Sequence, residues 1–308
     1  MAKQKKVNLE DNSLRRNWKE WTWSILMVLP AMVFLALFYI YPLGNLIEMS
    51  FYKGNVRNPY KEYVAFDNYK ALFTTRPDFL PALEHTAYYT IVVVVVLIAL
   101  SVLCSVWLYK NRRINQFAQS AIFSPHLVAS ISCAFIWSWM YNSESYGLFN
   151  TVLNGLGFYS VRWLDQPATA MNCVIVMNIW KNIGYYSLIV MSALKAIPVE
   201  IYEASDLDSA GAVRKFFMIT VPMLSPQLFF LLITITTGSF MVFDSIRVMT
   251  NGGPGNSTEV LCTWIYEYAF QKNNSLGIAS AGGGVLLVIL LLITLIDFKG
   301  LERKVHYQ

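Results

Sequence analysis

The sequence predicts an all-α integral membrane protein, and three observations support this prediction. Hydrophobic residues make up 56% of the 308 positions and charged residues only 14%, whereas soluble domains carry about 25% charged residues. Six long intervals are nearly free of charge, and each exceeds the roughly 20 residues that a helix needs to cross the hydrocarbon core. Lipid offers no partners to unpaired backbone groups, so helix is expected even for the β-branched run Val92–Val96.

The apolar intervals predict six transmembrane helices within residues 21–298, with a core at residues 85–296. In chain order the intervals are Trp21–Ile47, His85–Tyr109, Ile114–Ser143, Gln166–Leu194, Phe216–Phe243 and Asn273–Ile296. The first is too long for the core of a signal peptide and lacks a small-residue cleavage site, so we expect it to be retained. Residues 1–20 and 299–308 are then polar tails.

The distribution of lysine and arginine predicts the orientation in the membrane. Most of the 24 basic residues lie in the two tails and in the segments that follow the second and fourth intervals. Cytoplasmic segments of membrane proteins carry such an excess, so we expect both termini in the cytoplasm. The net charge of +5 is therefore a sign of topology, and nucleic-acid binding is not expected.

The predicted external segments are too short for a separate large domain. A short helix is expected near Asn68–Phe73, and the segment Tyr141–Pro167 has room for another. Three of the four cysteines lie in predicted spans, and no pair has the spacing of a metal site. We therefore expect structural cysteines, no disulfide framework and no bound metal.

Polar residues in the fourth interval form a stripe that predicts a substrate pathway. Asn178, Lys181, Asn182 and Tyr185 fall within about 100° of one another on a helix. Such groups are costly in lipid unless they face the bundle interior or water. Two alternatives stay open: hydrogen bonds between helices that hold the bundle together, and extension of the Lys181 side chain to an interface.

A second group of aromatic and polar residues closes the fifth interval. It consists of Phe240, Phe243 and Asp244, and the rarity of charge leads to the hypothesis that Asp244 pairs with Lys181. His126, in the third interval, is interpreted as a packed or pore-lining polar group rather than a catalyst. Tyrosine, tryptophan and asparagine together suit sugars, because aromatic faces stack on a pyranose and amides bond its hydroxyls.

The segment Ile197–Pro226 is the longest polar interruption in the C-terminal half. A short helix is predicted to open at Pro198, Gly211 to break it, and a second helix to cover Val213–Thr220. The segment is either a solvated loop or a docking element for a cytoplasmic partner. The chain contains no GxxxxGK[ST] phosphate loop and no HExxH or GxSxG motif, so we do not expect it to hydrolyse ATP or to act as an enzyme.

The same segment resembles the EAA signature of bacterial ABC importer membrane subunits, in the type I branch of the maltose and glycerol-phosphate importers. The family's positions are occupied by Glu203, Ala204, Asp208, Ala210, Gly211, Phe217, Ile219 and Pro222. The pattern TNGGP at Thr250–Pro254 is similar to that of the first of the two membrane subunits of sugar importers. The family has glycine where this chain has Ser209, which leaves open whether the bend stays there or shifts toward Gly211.

The resemblance implies the type I ABC importer permease fold, a bacterial cytoplasmic-membrane location and a non-catalytic transport role. The implied partners are a second related permease subunit, two copies of a cytoplasmic ATPase that hold ATP and magnesium, an extracellular solute-binding protein, and a carbohydrate. This chain itself is expected to bind no cofactor. The implied coupling residues are Glu203, Ala204, Ser205, Leu207, Asp208, Ala210 and Gly211.

The candidate pathway combines the stripe with the resemblance. Asn178, Trp180 and Tyr185 match polar or aromatic positions of the sugar site in maltose-type importers, although Trp180 lies off the stripe. The complete candidate set is Asn178, Trp180, Lys181, Asn182, Tyr185, Phe240, Phe243 and Asp244.

Three other functions are weighed against a carbohydrate importer. The first is an ABC importer for another solute, such as glycerol phosphate or a peptide. The second is an ATP-independent secondary transporter or channel, which is disfavoured because such carriers carry internal repeats and no clear repeat is found. The third is a scaffold without transport, which the intramembrane Lys181 and Asp244 disfavour.

Overall fold

The computed structural model describes residues 18–109, 113–271 and 275–301. Most of the two predicted tails lies outside these ranges. Within them the chain is almost entirely helical, and its strands are two residues long, Tyr52–Lys53 paired antiparallel with Glu62–Tyr63. The predicted all-α class is confirmed.

The helices are numbered in chain order. They are α1 Trp18–Leu35, α2 Tyr41–Met49, α3 Asp67–Thr74, α4 Phe79–Leu108, α5 Arg113–Leu127, α6 Ser130–Met140, α7 Leu148–Gly155, α8 Pro167–Ala196, α9 Val199–Leu207, α10 Ala212–Lys215, α11 Val221–Met223, α12 Ser225–Phe240, α13 Asp244–Met249, α14 Leu261–Phe270 and α15 Leu276–Leu301. Two π-helical turns, Ala36–Ile40 and Phe216–Thr220, join α1 to α2 and α10 to α11.

The described helices reproduce the six predicted spans. Four are long and apolar enough to cross a membrane alone, and the number is six when each of two bent pairs counts as one span. The two short helices predicted between spans are also present, as α3 and α7.

The third and fifth spans are broken, which corrects the expectation of uninterrupted helices. α5 and α6 meet at 100°, and the stretch Ala212–Met223 meets α12 at 67°. Pro125 removes a backbone donor from the last turn of α5, and Pro222 does the same just before the second break. The fifth span also ends at Phe240, three residues before its predicted end at Phe243.

Close helix contacts hold the centre of the bundle. α4 packs along α8, with α5 and α12 against them. The buried Ser105 hydroxyl in α4 donates to the Ser187 carbonyl of α8 at 2.7 Å. Gly184 in α8 lies so near α5 that a Cβ on it would be 2.0 Å from the Ile122 carbonyl oxygen. The middle of α8 is therefore pressed against the end of α5.

The last span is well packed against the rest of the bundle, whereas the first span is mostly exposed. A second hydrophobic core joins α14 and α15 to α3 and α4 around the fully buried Trp264. The side chains of Trp23–Gly44 in the first span are exposed, and its contact with α15 is made through α2. The interior is thus built mainly by the second to sixth spans.

Candidate functional site

The bend after α5 gives Lys181 its partner. Lys181 is buried at 7% exposure, and its Nζ donates to the His126 carbonyl oxygen at 3.1 Å. His126 lies in the last turn of α5, where carbonyls have no partner within the helix and the helix dipole favours a cation. The broken helix thus provides an acceptor inside the bundle for a charge that would otherwise be costly there.

The side chain of His126 also contacts α8. It stacks on Tyr185 at 4.3 Å between ring centroids with an interplanar angle of 5°. Its Nδ1 lies 3.1 Å from the Asn182 amide oxygen, which only accepts, so Nδ1 carries the proton in this contact. The Asn182 amide nitrogen then donates to the backbone carbonyl of Asn178 at 3.0 Å and to its side-chain oxygen at 3.3 Å.

The predicted stripe is therefore a connected polar network around one added residue, His126. Two of its hydrogen bonds, from Lys181 to the His126 carbonyl and between the His126 ring and Asn182, join α5 to α8, as the first alternative to a pathway predicts. Extension of Lys181 to an interface is not what the structure shows, because the side chain is buried. The assignment of the stripe to a substrate pathway stays a prediction.

The hypothesis of a Lys181–Asp244 pair is wrong for this structure. Asp244 is exposed at the start of α13, and the ion pairs within the described ranges join Lys215 to Asp206 and Arg247 to Glu267. The Lys181 ammonium is satisfied by a backbone carbonyl instead. Charge rarity alone was too weak a signal to identify its partner.

The second predicted group lies where α12 gives way to α13. Phe240 is buried at the end of α12, and Phe243 packs edge-on against Tyr266 of α14 at 5.2 Å. The Arg247 guanidinium lies over the same Tyr266 ring at 5.2 Å. α13 also packs along α6 and touches α8, so this group lies close to the helix that carries the stripe.

Trp180 belongs to an aromatic group rather than to the polar stripe. Its ring is 42% exposed and lies 5.3 Å from the ring of Trp137 in α6. Trp137 in turn contacts Tyr141 and Phe149. One face of Trp180 is thereby fixed by packing while the rest of the ring remains open.

The predicted coupling segment forms a short helix with an exposed face. Glu203, Ala204, Leu207, Asp208 and Gly211 are exposed, and Leu207 reaches 88%. Ser205 is instead buried, and its hydroxyl donates to the Tyr202 carbonyl at 2.7 Å, while Ala210 is half-buried. The exposed side of α9 is therefore open to a partner in this structure.

Four residues outside the predicted set tie this helix to the next elements. The Tyr202 hydroxyl lies 3.0 Å from the Thr220 hydroxyl in the π-helical turn, and Lys215 of α10 forms an ion pair with Asp206. The acidic Asp206 and the basic Lys215 were visible in the sequence, but their pairing depends on the fold. α9 is thus joined to the segment that leads into α12.

Ser209 makes the bend that the family makes with glycine. It adopts a left-handed conformation with φ of +53°, whereas Gly211 is extended. The Ser209 amide donates to the Asp206 carbonyl at 3.0 Å, and the Ala210 amide donates to the Ser205 carbonyl at 3.1 Å. This pair of bonds is a Schellman motif, which closes the helix end around a left-handed residue. The bend has not shifted to Gly211.

The chain resembles named transport proteins over most of its length, although no protein-family model matches it. It is 33% identical over 278 residues to YurN, a probable ABC transporter permease protein of Bacillus subtilis. This alignment covers 89% of this chain and 94% of the relative. It is 30% identical over 291 residues to the trehalose/maltose transport system permease protein MalF of Thermococcus litoralis, covering 94% and 97%.

A further relative and a solved structure are also similar to the chain. The sn-glycerol-3-phosphate transport system permease protein UgpA of Pectobacterium atrosepticum is 31% identical over 283 residues, covering 92% of this chain and 95% of the relative. A chain in the crystal structure of a bacterial alginate ABC transporter, solved with an alginate pentasaccharide-bound periplasmic protein, matches with a TM-score of 0.81 at 24% identity. The match covers 92% of this chain and 95% of that chain, and it supports the fold.

Proposed function

Because the chain belongs to the permease subunits of ABC transporters, we propose that it forms, with a second related permease, an import pathway for a sugar or oligosaccharide. The observation that carries this proposal is the exposed face of α9, which combines Glu203 and Leu207 beside the closed bend at Ser209. A chain without a phosphate loop needs partner subunits to supply ATP hydrolysis. We assign α9 as the surface where one of the two partner ATPases docks.

The contacts behind α9 give docking a mechanical consequence. The Tyr202–Thr220 hydrogen bond and the Asp206–Lys215 ion pair connect α9 to the elements that precede α12. When ATP binding closes the two ATPases, α9 follows as a rigid body and moves the broken fifth span. ATP and magnesium are held by the ATPases, and the coupling residues of this chain transmit the movement.

A carbohydrate is the cargo best supported by the relatives and by the side chains. The relatives are named for trehalose/maltose, arabinooligosaccharides and sn-glycerol-3-phosphate. The half-open ring of Trp180 offers a face for stacking on a sugar, and Asn178 and Asn182 supply amide groups. A phosphate cargo is less well supported, because the Lys181 ammonium is buried and donates to a backbone carbonyl.

The remaining candidate residues have supporting roles in this proposal. Lys181 and Tyr185 hold the end of α5 through His126 and so fix the bend that shapes the pathway wall. Phe240, Phe243 and Asp244 form the facing wall at the junction of α12 and α13. An extracellular binding protein delivers the sugar to the opposite end from α9.

Reconstitution with its partner subunits tests the function. The chain is co-purified with its second permease and ATPase, placed in liposomes, and assayed for ATP-dependent uptake on a panel of oligosaccharides with the cognate binding protein. We expect uptake and ATPase stimulation with at least one sugar. Stimulation only by glycerol phosphate or a peptide would reassign the cargo, and a complex without ATPase would refute the coupling assignment.

A further inference from the structure

A cavity of about 390 Å³ opens between the ends of α4 and α8 and the segment that follows α8. Val106 of α4 and Leu194 of α8 line one side of it, and Val199 of α9 and Phe216 of the π-helical turn line the other. Pockets for small ligands have volumes of about 300–1,000 Å³ and are mostly apolar. The cavity is therefore large enough to hold an apolar group of a ligand.

The polar groups of the cavity favour an anion beside the apolar group. The Tyr202 and Thr220 hydroxyls in its wall lie 3.0 Å apart and bond to each other. Among the described residues that line it, Lys215 is charged and none is acidic. Lys215 pairs with Asp206, whose side chain is 68% exposed. An ammonium group has three donors, so this ion pair leaves Lys215 donors for a further anion.

The position of the cavity indicates a membrane lipid as the source of such a ligand. α4 and α8 are each long and apolar enough to cross a membrane, and the cavity lies where both of them end. Val213 and Phe217 are 72% and 64% exposed, and the basic residues Arg214 and Lys215 lie between them in the sequence. Exposed apolar residues combined with basic ones are typical of segments that lie at the surface of an anionic membrane.

We propose that the cavity binds an anionic phospholipid, with an acyl chain between α4, α8 and the π-helical turn and the phosphate beside the Lys215 ammonium. Basic pockets between transmembrane helices on the cytoplasmic side bind anionic lipid headgroups in this way. The lipid contacts the ends of two spans and the coupling segment together, and so supports the connection that Tyr202 and Thr220 make. The inference rests on the proposed function only in placing this segment on the cytoplasmic side, and it needs neither the cargo nor the ATPase contact.

Photoaffinity labelling of the assembled complex, with both permeases and the ATPases, tests the proposal. The complex is placed in liposomes that contain phosphatidylglycerol with a diazirine in its acyl chain, or the matched phosphatidylcholine probe, and the labelled peptides are identified by mass spectrometry. We expect adducts in the peptides of Val106, Leu194 or Phe216, several-fold more abundant with phosphatidylglycerol. Equal adducts with the two probes, or adducts only outside the cavity, would overturn the proposal.

Two variants of the ion pair separate the role of the cation from the role of the pair. Lys215→Gln and Asp206→Asn both break the pair, but only the first removes the positive charge. A basic residue near an anionic membrane surface contributes roughly a fivefold gain in binding. Competition with unlabelled phosphatidylglycerol should therefore show about fivefold weaker binding for Lys215→Gln, and binding at least as tight as in the wild type for Asp206→Asn. Equal losses in both variants would contradict a phosphate contact with Lys215.

A second pair of variants tests whether the acyl chain enters the cavity. Ala212 lines the cavity, whereas the exposed Val213 lies outside its lining. Ala212→Phe should remove most of the adducts and Val213→Phe should retain them, and equal labelling of the two variants would place the lipid elsewhere. Adducts that form only without the ATPases would show that an ATPase covers the cavity and would overturn the lipid assignment. A complex that recruits no ATPase refutes the coupling assignment alone, because the comparison of the two lipids does not require it.

Discussion

Gly184→Ala should be among the most damaging glycine-to-alanine changes in the spanning helices. An added Cβ would lie 2.0 Å from the Ile122 carbonyl oxygen, whereas real Cβ atoms stay beyond 3.0 Å, so α5 and α8 must separate by at least about 1 Å. Both contacting groups are backbone and cannot rotate away. Overpacking of this kind costs typically 1–3 kcal/mol, and we expect the upper end, about 3 kcal/mol.

The separation should also disturb function, since the same contact presses the polar stripe against the bent end of α5. Alanine favours helix over glycine by about 1 kcal/mol, so a matched control is needed to isolate the clash. A Cβ added to Gly238 in α12 would have no neighbouring atom within 4 Å. Gly238→Ala should therefore stabilise the protein slightly and leave uptake intact.

The assay is thermal denaturation of the purified complex in detergent, followed by uptake in liposomes. Gly184→Ala should lower the denaturation temperature by several degrees relative to Gly238→Ala and reduce uptake at equal expression. Equal denaturation temperatures and equal uptake for the two variants would refute the close α5–α8 contact.

The other predictions concern the coupling helix and the pathway. Glu203→Lys, at normal expression, should lose the ATPase on co-purification, and normal recruitment with normal uptake would count against α9 as the docking surface. Ser209→Val should destabilise the helix end by roughly 1 kcal/mol, because a β-branched residue is disfavoured at positive φ, while Ser209→Gly should be tolerated in both denaturation and uptake assays. Lys181→Met and Asp244→Asn should have additive effects on uptake, since the structure shows no hydrogen bond or ion pair between the two side chains and residues without shared contacts act independently; a strongly coupled double variant would restore their pairing. Trp180→Ala should impair sugar uptake with assembly intact, and unchanged uptake would remove Trp180 from the site.

The spans were predictable from the sequence, but the breaks in two of them were not. Hydropathy locates an apolar stretch of sufficient length, and a proline marks a weakened hydrogen bond. Neither the hydropathy nor the proline determines the angle at which the two halves of a span meet. The bends of 100° and 67° depend on how each half packs against its neighbours.

The polar stripe was likewise predictable from the sequence, but the partner of its lysine was not. A helical wheel placed Asn178, Lys181 and Asn182 on one side of α8, and the structure brings them together. The partner of Lys181 could not be found in the same way, because it is the His126 carbonyl that the end of α5 leaves free. A search for opposite charges overlooks backbone acceptors, and so it selected Asp244.

Ser209 shows how a departure from a motif is accommodated. The family's glycine suggests a position that needs positive φ, and the serine reaches φ of +53° without glycine's freedom. Two backbone hydrogen bonds across the helix end hold it there. A left-handed serine of this kind depends on its capping contacts, which composition alone does not reveal.

Photocrosslinking from Leu207 tests the central claim, that the exposed face of α9 contacts the partner ATPase. A photoreactive phenylalanine analogue replaces Leu207, which is 88% exposed, or Tyr159, which is 94% exposed between α7 and α8. Each version is co-expressed with the partner permease and ATPase and irradiated in membranes. The account predicts an adduct with the ATPase from position 207 and none from position 159. Absence of the adduct at 207, or equal adducts from both positions, would contradict it.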